Sequence, residues 1–448
     1  MDNINILTKN RIDIVIGIKY CEAYCNNYQT SFFKDLYLNY KYAFNGLLET
    51  SGTTNIVYKT KQEFLNRFNS LIEDIKQTHK NTELIPVIKE GDEYWMVDGF
   101  HRMSILMYFN YDVNLSINNN PMIPLPSLAH NLPVNLNHYG WYPTNITFFK
   151  KRGFSDVECD YTMYSFLKYH LSKFSCIILF PTTACEPQNL LPQNILNKIN
   201  IIYSKQIRNY TQNFQKNFIE MLYYTETWCV NGGAKNKSNA CFRKSGVVTI
   251  MFIEKQELSE LQSLKQEIRN FYQERNSVHI PDTQDENNNL LQLLNKNTIE
   301  FYNIVPSLYN NFQNFNNYLN KLITFCNDHN IDSDYICVEG SSILSSYHIR
   351  DCGDMDILID NKYVKSFENS DFDNHNIYTI KGETNYFCPL HFEDIIHNPE
   401  NHYFYKGVKF TNLSIIKQCK HNRIINNLFN SVSVMKDKKD YQNIEKYI

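Results

Sequence analysis

The spacing of apolar and polar positions changes character several times along the chain. In residues 11–20, Ile12, Ile14, Ile16 and Ile18 recur at period two, which predicts a half-buried strand with a helix as the competing reading. From Thr60 the period lengthens. Phe64, Leu65, Phe68, Leu71, Ile72 and Ile75 fall on one helical stripe, and Thr60 with Glu63 forms a capping-box signature at its start. Residues 84–88 and 94–97 read as short strands about a turn at Glu90, Gly91 and Asp92, with a helix starting near Phe100. Asn118, Asn119 and Asn120, followed by Pro121, Pro124, Pro126 and Pro133, read as a linker. Beyond it lie a strand-like run at 247–252 and a helix at 257–274. Phe312, Phe315, Leu319, Leu322 and Ile323 then predict another helix, and 335–338 a strand.

These elements predict a multidomain α+β protein. The expected division is an α+β domain at 1–120, a linker at 121–140, a middle α/β region of unknown type and function at 141–305, and a mixed sheet with helices at 306–448. No internal repeat is evident, and no apolar run approaches the roughly 18 residues a membrane-spanning helix needs. Hydrophobic residues at 43% and aromatics at 14% supply enough core-forming surface to exclude global disorder. Lys+Arg 44 against Asp+Glu 47 leaves a net charge of -3, so no bulk field draws the chain to nucleic acid or anionic lipid, and such a role would need a local patch. The polar start, residues 1–10, lacks the pattern of a secretory signal, and the 12 cysteines include no C-x-x-C pair. The expectation is a cytoplasmic protein with reduced, mostly buried thiols and no membrane association.

The sharpest chemical signal is near the carboxyl end. Val338, Glu339, Gly340, Ser341 and Ser342 precede, by about a dozen residues, the run Asp354, Met355, Asp356, Ile357, Leu358, Ile359. On a strand, Asp354 and Asp356 share one face while Met355, Ile357 and Ile359 turn to a core. Two adjacent carboxylates repel unless a cation lies between them, and Mg²⁺, which prefers oxygen ligands, is the natural occupant. Gly340 permits close backbone approach, and Ser341 and Ser342 open a helix with amides and hydroxyls suited to phosphate oxygens. Metal and phosphate together point to a nucleoside triphosphate. The competing reading is an edge strand with solvent-facing acids after an ordinary turn and cap, disfavoured because Asp is depleted in strands.

This run resembles the polymerase β-like nucleotidyltransferase superfamily, in which a strand and Gly-Ser precede Asp-x-Asp on a second strand. The resemblance covers about 110 residues, and it implies that Asp354 and Asp356 are the catalytic metal ligands and that Gly340, Ser341 and Ser342 hold the triphosphate of an NTP, ATP first. It also implies a third carboxylate on a later strand, for which Glu393 and Asp394 are the nearest candidates, with Asp394 taken as a metal ligand. Lys420, Arg423, Lys436, Asp437 and Asp440 match the helical tail of sugar-polymer and small-molecule relatives, with Lys420 and Arg423 placed to neutralise phosphate. Arg350 is either a phosphate contact or a surface ion pair.

A second constellation follows the strand at 94–97: Asp98, Gly99, Phe100, His101, Arg102, then an apolar helix. A strand, a glycine and a helix start carrying His and Arg make an anion-binding pattern, against the plainer reading of a capped helix with surface hydrogen bonds. Residues 64–117 resemble the ParB and sulfiredoxin superfamily, which implies that Asp98, Gly99, His101 and Arg102 bind a nucleotide or phosphate. Phe100 stands where sulfiredoxins carry their reactive cysteine, so sulfinic-acid chemistry is not expected. Elsewhere His279 reads as a core histidine, the Gly232–Gly233 loop lacks P-loop spacing, and neither His391 with His397 nor Cys21 with Cys25 makes a zinc pattern.

The leading expectation is a magnesium-dependent nucleotidyltransferase passing a nucleotidyl group to a hydroxyl of a small-molecule, sugar, glycan-precursor or protein acceptor. The alternatives are a non-catalytic nucleotide- or phosphate-binding protein and a ParB-like kinase with a regulatory partner domain.

Overall fold

The isoleucine run near the start folds as a helix, not a strand. In this computed structural model, which describes residues 11–45, 48–51, 55–58, 60–79, 84–90, 93–96, 99–117, 146–170, 174–182, 191–224, 226–244, 246–368, 378–381, 388–426 and 431–448, it forms α1, Ile12–Cys25. Ile12, Ile14, Val15, Ile16, Tyr20 and Cys21 are all buried, so the helix is enclosed on nearly every side and shows no single stripe. The alternation was therefore incidental to burial. Gly17 meets the helix α4, Phe100–Phe109, so closely that a Cβ would overlap Ser104.

Between them lie α2, Phe32–Asn45, and α3, Lys61–Thr78. At the start of α3 the Thr60 hydroxyl accepts from the Glu63 amide at 3.2 Å and the Glu63 carboxylate accepts from the Thr60 amide at 2.7 Å, completing the capping box. Its buried face carries Phe64, Leu65, Phe68, Ile72 and Ile75. Phe68 packs 5.2 Å from Tyr20 of α1 and 5.1 Å from Tyr37 of α2, an aromatic core that joins all three helices. The expected hairpin is β1, Ile85–Glu90, against β2, Glu93–Met96, with β3, Leu115–Ile117, parallel to β1 on its other side. The linker at 121–140 lies outside the described residues.

The chain divides into two compact units, Met1–Lys173 with Ile201–Tyr203, and Phe174–Asn200 with Ser204–Ile448. The expected middle region, 141–305, is thus shared between them. In the second unit β4, Phe174–Leu179, pairs antiparallel with β5, Val248–Glu254, and with β6, Val278–His279. The amphipathic α5, Leu258–Tyr272, buries Leu261, Leu264 and Ile268. His279 is buried as expected, its Nδ1 3.1 Å from the Tyr223 hydroxyl.

Five further strands make a mixed sheet. They are β7, Ile336–Glu339; β8, Met355–Ile359; β9, Tyr378–Lys381; β10, His402–Tyr405; and β11, Val408–Thr411, in the order β9-β8-β7-β11-β10. One face of this sheet is closed by α7, Gln313–Asp328, whose Phe315 packs 5.7 Å from Tyr405 and 6.1 Å from Phe410. Upstream, α6, Lys296–Ile304, stacks Phe301 on Tyr403 at 4.4 Å, so part of the expected middle region packs on the carboxyl-terminal sheet.

Replacing the Thr60 cap tests the amino-terminal unit. Thr60→Ala removes an acceptor that no neighbouring side chain replaces and is expected to cost about 1 kcal/mol, read as a lower urea midpoint at unchanged slope.

Candidate functional site

Antiparallel register brings the acids of the carboxyl-terminal motif together. Strands β7 and β8 pair Cys337 with Leu358 and Glu339 with Asp356, so these four side chains leave the same sheet face. The alternate residues Val338, Met355, Ile357 and Ile359 are fully buried on the other face, as the alternation predicted. The face that carries the acids is partitioned along its length. Its inner end is covered by α9, Phe392–His397, through Phe392, Ile395 and Ile396 on Cys337 and Leu358. Its outer end opens into a cavity of about 230 Å³.

That cavity gathers most of the predicted residues. Glu339, Gly340, Ser341, Arg350, Asp354 and Asp356 line one side. Facing them are α10, Leu413–Asn426, with Ile416, Cys419, Lys420 and Arg423 one helical turn apart, and α11, Ser431–Ile444, with Ser433, Lys436 and Asp437. Asp354 is exposed, just before β8, and Asp356 is half-buried. Gly340 adopts φ 71° and ψ -140°, a conformation nearly restricted to glycine, and a Cβ there would overlap the Asp356 carboxylate. The glycine therefore does two things, turning the chain into the six-residue helix α8, Ser341–Ser346, and leaving room for an acid. Ser341 Oγ donates to Asp354 Oδ1 at 3.5 Å, and Ser342 Oγ donates to the Asp354 carbonyl at 3.2 Å. Ser342 is thereby turned to the backbone of the next strand and does not line the cavity.

Two of the basic residues share one buried carboxylate. Asp440 of α11 is 2% exposed and bridges two cations. Its carboxylate accepts from Arg350 Nε and a second guanidinium nitrogen, both at 2.8 Å, and from Lys420 Nζ at 2.8 Å. Lys420 also donates to Asp437 at 2.9 Å. Arg350 is therefore a structural ion pair, and Lys420 has its charge balanced by two aspartates. Of the two residues expected to meet phosphate, Lys420 is held by these aspartates, while Arg423 and the exposed Lys436 line the cavity. Burial alone would raise the Asp440 pKa, but the hydrogen bonds and charges of Arg350 and Lys420 outweigh it and hold the carboxyl below its ordinary value.

Glu393 and Asp394 sit on the helix α9, and neither lines the cavity. The structure does not bring Asp394 to Asp354 and Asp356, because α9 covers the apolar end of the sheet face. Glu339 was not anticipated in the cavity. It is 2% exposed and lines the cavity directly across from Asp356. Its signal was available in the alternation of β7, which places residue 339 on the same face as residue 337 once β8 is its antiparallel neighbour. Among the described residues no three of His, Cys, Asp and Glu form a ready metal cage. Asp354 and Asp356 offer only oxygen donors, the type a hard divalent ion takes, and would need phosphate or water to complete its shell.

In the amino-terminal unit Asp98 lies outside the described residues. Gly99 takes φ 88° and precedes α4, as a strand-to-helix turn requires. The His101 ring packs 4.5 Å from Phe68, with Nε2 2.8 Å from the Tyr37 hydroxyl. Burial, and then the charges of Lys41, Arg67 and Arg102, lower its pKa well below the ordinary imidazole value, so it is neutral at pH 7. Arg102 is half-buried. Lys41 and Arg67 were not anticipated. They come from α2 and α3, and only the fold brings them beside the His-Arg turn.

The sign of the Asp440 shift makes a pH prediction. A carboxyl whose folded pKa is depressed contributes stability above its unfolded pKa, near 3.9, and loses it as pH falls through the folded value. Asp440→Asn is expected to cost about 3 kcal/mol near pH 7 because it takes the carboxylate from Arg350 and leaves Lys420 with Asp437 alone. The gap in melting temperature between variant and parent should narrow as pH drops from 6 to 3. Comparison of the chain with protein-family models, with curated proteins and with solved structures gives no match in any of the three.

Proposed function

We propose that the second unit is a magnesium-dependent nucleotidyltransferase, joining a nucleoside monophosphate to an acceptor hydroxyl with release of pyrophosphate. The observation that carries this reading is the convergence of Glu339, Gly340, Asp354 and Asp356 with Arg423 and Lys436 on one cavity. Glu339, Asp354 and Asp356 on one wall with Arg423 and Lys436 on the other suit a polyanion bound through divalent ions.

In this reading Asp354 and Asp356 hold the divalent ion, which when bound neutralises charge on the triphosphate and makes pyrophosphate a better leaving group. Gly340 leaves room for the Asp356 carboxylate at the turn into α8, where the Ser341 amide and hydroxyl would meet phosphate oxygens. Arg423 and Lys436 face the departing phosphates. Glu339 supplies the third carboxylate and accepts the proton that the acceptor hydroxyl gives up as its oxygen bonds to the α-phosphorus. The acceptor belongs to the small-molecule, glycan-precursor or protein class, and ATP is the first donor to test. The amino-terminal unit carries a separate anion site in this reading, supported by the gathering of Lys41, Arg67 and Arg102 around a neutral His101.

The expected result with purified protein, Mg²⁺ and each of the four nucleoside triphosphates is pyrophosphate release. Asp354→Asn combined with Asp356→Asn should lower it by roughly 100-fold or more, and Glu339→Gln by at least about tenfold, with melting temperatures close to the parent. Calorimetric Mg²⁺ binding in the presence of nucleotide should be lost in the double variant. Turnover that survives that variant refutes the transferase reading, and a nucleoside diphosphate product in place of pyrophosphate indicates a kinase.

A further inference from the structure

The charges and apolar groups of α11 are sorted by face in an unusual way. Val432 is 74% exposed and Met435 70%, and Ile425, near the end of α10, is 62% exposed. Val432, Met435 and Lys439 lie within one helical stripe, Lys436 stands at its edge where the helix meets the cavity, and Lys438 is exposed on the other side. The two acids of the helix, Asp437 and Asp440, are buried on the inward side with Ile444. Each is held by an ion pair, to Lys420 and, for Asp440, also to Arg350. Lys436, Lys438 and Lys439 make no ion pair among the described residues. The outward face therefore presents apolar side chains and uncompensated lysines, while its carboxylates are consumed inside.

Scattered exposed apolar residues are ordinary on a protein surface. Three of them at adjoining helix ends, with the exposed Lys438 and Lys439 on the same helix, form a pattern of their own. Nucleic acid would be matched by the lysines but finds, among the described residues, no exposed aromatic ring on this stripe to stack on. A bilayer with anionic headgroups matches both components: Val432, Met435 and Ile425 enter the interfacial layer while the lysine stems lie along it and their ammonium groups reach lipid phosphates. No helix among the described residues is long and apolar enough to cross a membrane, which makes the contact a peripheral one. We propose that the adjoining ends of α10 and α11 dock on an anionic lipid surface. The inference goes beyond the transferase reading and stands without it.

Cosedimentation of the full chain with vesicles tests the proposal. The protein is expected to pellet with phosphatidylcholine vesicles that contain phosphatidylserine, to stay in solution with phosphatidylcholine alone, and to be released as salt is raised. Val432→Glu with Met435→Glu, and separately Lys438→Glu with Lys439→Glu, should each weaken binding by roughly tenfold or more at unchanged circular dichroism. The proposal is overturned if serine-containing vesicles fail to retain the protein or if both double variants bind like the parent. It is equally overturned if the face instead retains a labelled single-stranded RNA, or drives self-association that the Met435 variant abolishes, without vesicle binding.

Discussion

One buried carboxylate, Asp440, decides whether the carboxyl-terminal cavity has walls. It joins α11, which carries it, to α10 through Lys420 and to the segment before β8 through Arg350. That segment is fixed further along. Arg350 donates to the Asp351 carbonyl at 3.0 Å, and the Asp351 carboxylate accepts from the Asn314 and Phe315 amides at the start of α7, at 3.2 and 3.1 Å. The chain from helix tail to metal-ligand candidate thus has no slack. Desolvating a single charge costs several kcal/mol, and a bidentate guanidinium plus an ammonium on the same carboxylate is a geometry able to offset it. Ions paired in this way do little for net stability compared with well-packed apolar groups. What they do here is specify register, because the placement of α10 against α11 has to satisfy all three hydrogen bonds to Asp440 at once.

The second constraint is the division of one sheet face into a dry end and an acidic end. Cys337 and Leu358 lie under α9, and two residues along the same pair of strands Glu339 and Asp356 face a cavity. A one-residue slip of β8 against β7 would set the fully buried Ile357 opposite Glu339 and turn Asp356 into the core. The apolar contacts with α9 thereby set the register that aligns the acids, so packing energy and site geometry are the same constraint seen from two ends of a strand.

How much of this the sequence disclosed depends on how local each feature is. Gly340, Ser341, Asp354 and Asp356 were legible because a strand, a turn, a short helix and a returning strand fit within about twenty residues, and side-chain alternation then decides which acids meet. The α3 capping box was legible for the same reason. The helix α1 was misread because period-two spacing marks a strand only when one face is wet, and here both are dry. The pairing of Arg350 with Asp440 spans 90 positions and that of Lys420 with Asp437 spans 17 across a helix connection, so no periodicity could show them. The third acid was sought downstream because the resemblance places it there. In the structure Glu339 precedes the glycine, and it meets Asp356 only through the antiparallel register.

Whole-chain charge was the least informative quantity read at the start, and the ion pairs explain why. A helix with lysines and aspartates interleaved looks balanced when its residues are summed. In α11 the aspartates are neutralised by Lys420 of a different helix and by Arg350 of a distant loop, so the lysines of α11 itself are not needed for that purpose and remain exposed. The same inward pull that closes the cavity therefore produces a basic exterior from a nearly neutral sequence. A net charge of -3 over the chain is compatible with a strongly positive patch wherever buried acids draw their counter-ions from elsewhere in the fold.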